Sequence, residues 1–399
     1  MKHRIGIVGA GILGLALAWR LQERFPEAVV TVFEKEKGPG QHQSGNNSGV
    51  LHCGLYYQPG SLKARLAVEG IRSMIAFCRQ HDIPHEVCGK VVVASDDRER
   101  GFLEDLAGRG AANGLQGLTY LDSSALRRRE PHVRAAAALL VPEEGIVDYR
   151  AVMETLVSLI RNRGGEVLYN SRVAGVSSTK SGETVLRTGS GKEFTLDLLV
   201  CCAGLQSDRL YRQCTGLKPP LKIIPFRGEY RMLRPEAEAM VNHLVYPVPD
   251  PLYPFLGVHF TRLVHGGREI GPNAVLALKR EGYTKSSFSL PDTIDSLTYT
   301  GFRRFISKNL RFTAAEVASS LSGKAFLGKA RKMIPELTLD QLVPGTAGVR
   351  AQALATDGTL VMDFRILRHD RQIHVLNAPS PGATASLAIA SHIVDEYIN

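Results

Sequence analysis

The residues that could do chemistry begin with a glycine-rich turn. Gly9-Ala10-Gly11-Ile12-Leu13-Gly14 stands near the start of the chain, and Glu34 follows twenty residues after Gly14. Each member of that pattern has a task at a dinucleotide. Gly9 makes the tight turn, Gly11 lets the backbone approach a pyrophosphate, and Gly14 lets the following helix pack closely on a sheet. The helix start, Ile12 and Leu13 included, turns N–H groups and the positive end of its dipole toward phosphate. Glu34 supplies a carboxylate for ribose hydroxyls. Residues 35–49 are rich in Gly, Ser, Asn and Gln, with Ser44, Asn46, Asn47 and Ser48 as polar partners. His52, Tyr56 and Tyr57 then stand among small glycines, a composition suited to a ligand-facing loop. A loop at 378–385 containing Gly382 feeds a helix, a second anion-binding device.

Elements must hold these residues. The run 4–8 is a buried strand, 15–24 a helix and 28–33 a second strand, which puts the glycine turn in a strand–turn–helix–strand unit. The spacing predicts helices over 61–79, 122–130 and 150–163, the second capped by Asp122, Ser123 or Ser124 and the third stopped by Gly164-Gly165. Residues 198–204 form a continuous apolar run into a glycine, a central parallel strand returning to the nucleotide. A return so late in the chain favours FAD over NAD. Alternation over 223–233, 257–263 and 269–279 predicts a second, mostly antiparallel sheet, with 247–251 a stiff proline-rich link. Residues 290–342 are helical, broken at Gly323 and Pro335. Strands return at 349, 360–362 and 373–377. The expected class is α/β, more fully α+β in two domains. A discontinuous Rossmann-like FAD domain takes 1–85, 145–215 and 343–399, and a substrate domain takes 86–144 and 216–342.

The 399 residues are 44% hydrophobic, enough for two intimately joined cores. No apolar run is long enough to cross a membrane, and the N-terminal apolar stretch is needed as a strand rather than a signal peptide. Six cysteines show no CxxC pair and are expected as reduced thiols in a cytoplasmic protein. No metal-ligand spacing is visible. The net charge of +10 is uneven: between Phe302 and Met333 eight Lys and Arg face the single acid Glu316. That stretch is either a solvated helix face or an attachment to an anionic membrane surface. Nucleic acid is excluded as a partner, since no stacking platform accompanies the basic residues.

The motifs GAGILG, LLVCCAG, GVR at 348–350 and PSPGATAS together resemble the D-amino-acid-oxidase-like FAD enzymes, which include glycine oxidase, sarcosine oxidase and glycerol-3-phosphate dehydrogenase. Longer stretches are similar to the L-2-hydroxyglutarate dehydrogenase (or oxidase) branch of that family. They are SGNNSGVLHCGLYYQPGSLKA at 44–64, PFRGEY at 225–230, VPDPLYPFLGVHFTR at 248–262, GPNAVLALKREGY at 271–283 and GVRAQA at 348–353. The resemblance runs from end to end.

It implies oxidation of L-2-hydroxyglutarate to 2-oxoglutarate, with hydride leaving C2 for the flavin and a base taking the hydroxyl proton. Imidazole suits that base. His259 is the first candidate, with His52 as an orienting group or as the base itself. Arg350, in GVR, is the expected carboxylate anchor, and Arg227, Arg262 and Lys279 are candidates for the distal carboxylate. Tyr56, Tyr57, Tyr230 and Asn273 are candidate hydrogen-bonding partners. The resemblance also carries over FAD contacts: Gly9, Gly11, Ile12, Leu13 and Gly14 at pyrophosphate, Glu34 and Lys35 at ribose, and Ser44, Asn47, Ser48 and Gly49 at phosphate or ring. Val173 meets adenine through its backbone, and Ala203 and Gly204 lie near the nucleotide. Arg350 and the loop of Pro381, Gly382, Ala383 and Thr384 lie at the flavin. FAD is expected to be non-covalent, because no cysteine is placed for a covalent link. The acceptor is oxygen or a membrane quinone, and the protein is cytoplasmic or peripheral on the inner membrane face. Two readings compete: the same fold acting on glycine, sarcosine or glycerol 3-phosphate, and a redox-silent flavin-binding protein.

Overall fold

In a computed structural model, residues 3–249 and 256–398 are described. Residues 250–255, within the 248–262 motif and the 247–251 link, lie outside them. Arg4–Val8 is apolar after its first residue and buried on both faces, as the centre of a parallel sheet requires. It pairs in parallel with Val29–Phe33 on one side and Leu198–Cys201 on the other. Glu166–Leu168 and Gln372–Asn377 extend the sheet outward, and Arg365–His369 closes one edge antiparallel. The chain reverses its direction of sheet-building at Arg4–Val8. The carboxyl ends of Arg4–Val8 and Leu198–Cys201 therefore flank the crevice that such sheets use for ligands. The helix Ile12–Arg24 covers one face through Leu15, Leu17, Ala18 and Leu21, all buried.

Among the described residues the second sheet has nine strands and is mostly antiparallel, with Leu244–Pro247 parallel to Lys90–Ala94. Lys222–Leu233 is its spine and pairs along nearly its whole length with Leu342–Leu354, the strand that carries Arg350. Alternation divides the sheet into two chemical faces. Val91, Val93, Val245, Phe260 and Ile270 point one way and pack on Phe326, Leu327 and Ala330 of the helix Gly323–Ala330. The registers put Lys90, Tyr246, His259, Thr261 and Glu269 on the opposite face. A further three-stranded sheet is formed by Val50–Leu51, His85–Glu86 and Gly145–Val147.

The expected cap at Asp122 holds, its carboxylate accepting the Ala125 N–H at 2.7 Å; Asp148, for which no cap was expected, accepts the N–H groups of Arg150 and Ala151. Gly164 takes a φ of +78°, the left-handed stop that follows Tyr149–Asn162. The 290–342 stretch forms four helices, Leu290–Thr298, Thr300–Lys308, Leu310–Leu321 and Gly323–Ala330. Residues 360–362 make only an isolated bridge from Leu360 to Leu354, because the Asp357–Gly358 turn leaves too short a run for a strand. No helix among the described residues is long and apolar enough to cross a membrane.

Candidate active site

The glycine turn is built for close approach. Gly9 has a φ of +106°, and a Cβ there would lie 2.5 Å from the Cys202 carbonyl. A Cβ on Gly14 would lie 2.0 Å from the Gly9 carbonyl, so this position admits only glycine. On Gly11 it would meet only the Ser44 hydroxyl, at 3.2 Å, leaving that side free for a ligand. The Ile12 N–H donates to Ser44 Oγ at 3.0 Å, while the N–H groups of Leu13 and Gly14 find no acceptor among the described residues. Buried Glu34 accepts the Ala10 and Glu36 N–H groups at 2.8 and 2.9 Å, which seats its carboxylate against the turn. Ala203 and Gly204 follow the strand Leu198–Cys201 at the same end of the sheet, where the Cys202 N–H donates to the Val8 carbonyl. Val173 starts a strand beside this region, since the Ser171 N–H donates to the Glu34 carbonyl. These donors and glycine-only positions fit a dinucleotide.

Two of the nucleotide candidates have local work instead. The Asn47 amide donates to the Gln43 and Ser44 carbonyls and accepts the Gly49 N–H, so it shapes its own loop. The Lys35 ammonium contacts Glu36, His42 and Glu281. Those three are the one group of metal-ligating type among the described residues, and a lysine already supplies their cation. Thr384 joins the last loop to the 50–57 segment: its hydroxyl accepts the His52 N–H at 3.2 Å and lies 2.7 Å from the Tyr149 hydroxyl. Tyr57 lies beside Ser380 of that loop and 4.5 Å from Lys63 Nζ. The loop holding Pro381, Gly382 and Ala383 is thereby fixed next to His52.

The two histidines come together across the sheets. His259 is buried, bonds the Gly257 carbonyl through Nδ1 at 2.9 Å and stacks on Tyr246 at 4.0 Å and 21°. Burial, aided by the positive charges of Arg350 and Lys90, pushes it down to about 3. His52 stands edge-on to the same Tyr246 ring, 6.5 Å away. Its Nδ1 lies 3.5 Å from Glu144 Oε2. Burial would raise Glu144, but the charge of Lys90 and the contact with His52 outweigh it and hold the carboxyl at about 2. Tyr230, raised to about 12 by burial, faces Ser48 and Arg350 with its hydroxyl. Arg350 makes no ion pair among the described residues, so its guanidinium is available to an anion.

The remaining arginine and lysine candidates are not brought into this cluster. Arg262 follows Thr261 on the strand and bonds Glu86 and the Asn242 carbonyl, both at 3.0 Å. Arg227 makes a fork to Glu229 and a third bond to the Thr284 carbonyl. Asn273 completes that network, accepting the Glu229 N–H and donating to its carboxylate. Lys279 is exposed. Sequence reasoning missed Lys90, Glu144 and Tyr246. The one available signal was a lysine opening the apolar run Lys-Val-Val-Val-Ala, where a strand buried on both faces should have no charge.

The family model described as FAD dependent oxidoreductase matches residues 4–396. The chain is 45% identical over 390 residues to L-2-hydroxyglutarate dehydrogenase of Escherichia coli (strain K12), covering 98% of this chain and 92% of that protein. It is 41% identical over 407 residues to the mitochondrial L-2-hydroxyglutarate dehydrogenase of Homo sapiens, covering 98% and 88%. Among solved structures it is similar in fold to the L-alpha-glycerophosphate oxidase of Mycoplasma pneumoniae with FAD bound. There the TM-score is 0.80 at 22% identity, over 99% of this chain and 94% of that one. The glycine oxidase of Geobacillus kaustophilus gives 0.73 at 19% identity, over 99% and 94%. With its glycine turn, Glu34 and returning central strand in place, the chain belongs to the FAD dependent oxidoreductase family.

Proposed function

We propose that this chain oxidises L-2-hydroxyglutarate to 2-oxoglutarate. The observation that carries the proposal is the pairing of a free, half-buried Arg350 with two histidines on facing elements. That is a carboxylate anchor beside a proton acceptor. The relatives named for this reaction, similar over nearly the whole chain, support it. FAD, held by the Gly9–Gly14 turn, Glu34, Ser44 and the 381–384 loop, supplies the two-electron acceptor for the C2 hydrogen. Arg350 grips one substrate carboxylate, and Tyr230 steadies its guanidinium.

The electrostatics favour His52 as the base, reversing the order expected from sequence. A base ends its work as a cation. His259 lies among cations that oppose that charge, whereas His52 lies against the ionised Glu144, which stabilises it. Glu144 also holds the ring, leaving Nε2 to take the hydroxyl proton. His259 stays neutral and gives or accepts a hydrogen bond at the substrate. The test is product analysis: turnover with an artificial electron acceptor should yield one 2-oxoglutarate per two electrons, and no 2-oxoglutarate would overturn the reading.

The electron acceptor we propose is a membrane quinone. Leu290, Ile294 and Leu297 repeat at helical spacing and are exposed, as are Leu310, Val317 and Leu321 on a nearby helix, Leu321 at 79%. Exposed Arg303, Arg304, Lys308, Arg311 and Lys324 accompany them. Apolar stripes edged by cations suit the surface of an anionic bilayer. Vesicles of anionic lipid should retain the protein at low salt and release part of it at high salt. No binding at low salt would remove the proposal.

A further inference from the structure

A buried carboxylate needs a positive partner, and Glu144 has two candidates. Lys90 forms a direct ion pair with its Oε2, and both side chains are wholly buried, at 0% exposure. His52 faces the same oxygen at 3.5 Å and keeps 22% exposure. The other oxygen accepts the Cys53 N–H and S–H, each at 3.3 Å. The lysine is enclosed by aromatic rings, with Nζ 4.9 Å from the Tyr56 centroid and 4.3 Å from that of Tyr246, a surrounding that tolerates an ammonium. Backbone fixes the pair: the Gly89 N–H donates to the Glu144 carbonyl at 2.8 Å, and a Cβ on Gly145 would come within 2.3 Å of the Glu86 carbonyl. Replacing such a pair by apolar side chains of similar volume is often neutral for stability. Its place beneath the base is therefore not accounted for by stability alone.

We propose that Lys90 is a positioning residue for the base: as the counter-ion of Glu144, it leaves His52 uncharged and able to accept a proton, while Glu144 orients the ring. This rests on the assignment of His52 in the proposed reaction. The remaining titratable groups around Glu144 cannot take over the task. Cys53, Tyr56 and Tyr57 face it from the 50–57 segment, Tyr149 from the helix Tyr149–Asn162 and Tyr246 from the sheet, with Cys88 further out. Burial keeps these thiols and phenols neutral, and none can become a cation. On the sheet side, neutral His259 stacks on the Tyr246 ring that faces Lys90, and Arg350 lies near His259. With Lys90 removed, His52 is the one remaining neighbour among the described residues able to balance Glu144, and its protonation would occupy the base before substrate arrives.

The test uses the FAD-loaded enzyme and two readouts. NMR of isotope-labelled histidine, with the His52 signal identified by its loss in His52→Gln, reports the charge of the ring without substrate. The kcat/KM profile against pH reports the working base. The signal expected of His52 in the native enzyme is that of the uncharged ring. In Lys90→Met the ring is an imidazolium, and the acid limb of the profile moves up by about one pH unit, so that activity on the acid side of the native limb falls about tenfold. Glu144→Gln, which leaves Lys90 unbalanced, moves the limb the other way. Lys90→Met with Glu144→Gln restores a neutral His52 and returns the limb toward its native place. A neutral His52 and an unmoved limb in Lys90→Met overturn the proposal. Should Lys90→Met fail to fold, an unmoved limb in Glu144→Gln overturns it equally. A native enzyme that ignores L-2-hydroxyglutarate refutes the reaction instead, and the NMR result then judges the charge relation separately.

Discussion

Replacing Arg350 by methionine should cripple substrate capture while leaving the fold and the flavin in place. The guanidinium is half-buried, with Tyr230 beside it and no carboxylate paired to it among the described residues. Its loss therefore strands no carboxylate inside the protein and gives up only the hydrogen bond to the Tyr230 hydroxyl. Beyond that, what is lost is the bond to substrate. Hydrogen bonds to a charged group contribute about 1.5–3 kcal/mol each, and a guanidinium fork makes two. Partial exposure puts the sum at the lower end, about 3–4 kcal/mol, or roughly 100- to 1,000-fold in kcat/KM. Arg350→Lys keeps the charge and loses the fork, so it should recover only part of this. The assay is steady-state kinetics with L-2-hydroxyglutarate and with its monocarboxylate analogue L-2-hydroxybutyrate, flavin content being checked by absorbance. An anchor for the C1 carboxylate lowers kcat/KM for both substrates alike. Arg350→Met enzyme with full flavin content and kcat/KM within about threefold of native would refute the assignment, because a lost fork contributes far more than that.

Other substitutions probe other parts of the structure. Gly14→Ala drives a Cβ to 2.0 Å from the Gly9 carbonyl, so purified protein should carry little flavin or fail to fold, whereas Gly11→Ala, facing only the Ser44 hydroxyl, should fold and bind FAD more weakly. The flavin-to-protein ratio measures both. Burial raises Glu269 to about 7. Unfolded glutamate releases its proton near pH 4.3, so the native state holds a proton the unfolded chain has lost, and stability should fall as pH rises from about 4.5 to about 7. Glu269→Gln should flatten that part of the urea-midpoint curve, and a slope unchanged by the substitution would contradict the assignment.

The nucleotide half of the fold is legible because its signals are local. A strand, three glycines, a helix and an acid lie within the first 34 residues, and each requirement is met by backbone geometry that a nearby side chain would violate. The Asp122 cap is legible for the same reason, since it acts on an N–H group three residues away. The catalytic half is less so, because its electrostatics are made by distant pairs. Arg262 looks like a free arginine until Glu86, 176 residues away in the chain, is brought beside it. Arg227 looks free until it folds back on Glu229 and the Thr284 carbonyl. Lys90 and Glu144 each look like solvated charges, and only the packing of Tyr56 and Tyr246 around the lysine turns them into a buried pair. Both histidines were legible as candidates, but their order depended on which of them lies beside a carboxylate and which among cations.

The central claim is most directly tested by anaerobic reduction of the bound flavin. The purified yellow protein is mixed separately with L-2-hydroxyglutarate, D-2-hydroxyglutarate, glycine and glycerol 3-phosphate, and the flavin absorbance is followed. Bleaching by L-2-hydroxyglutarate alone is the predicted result. Bleaching by glycine or glycerol 3-phosphate in its place, or by none of the four, would contradict it.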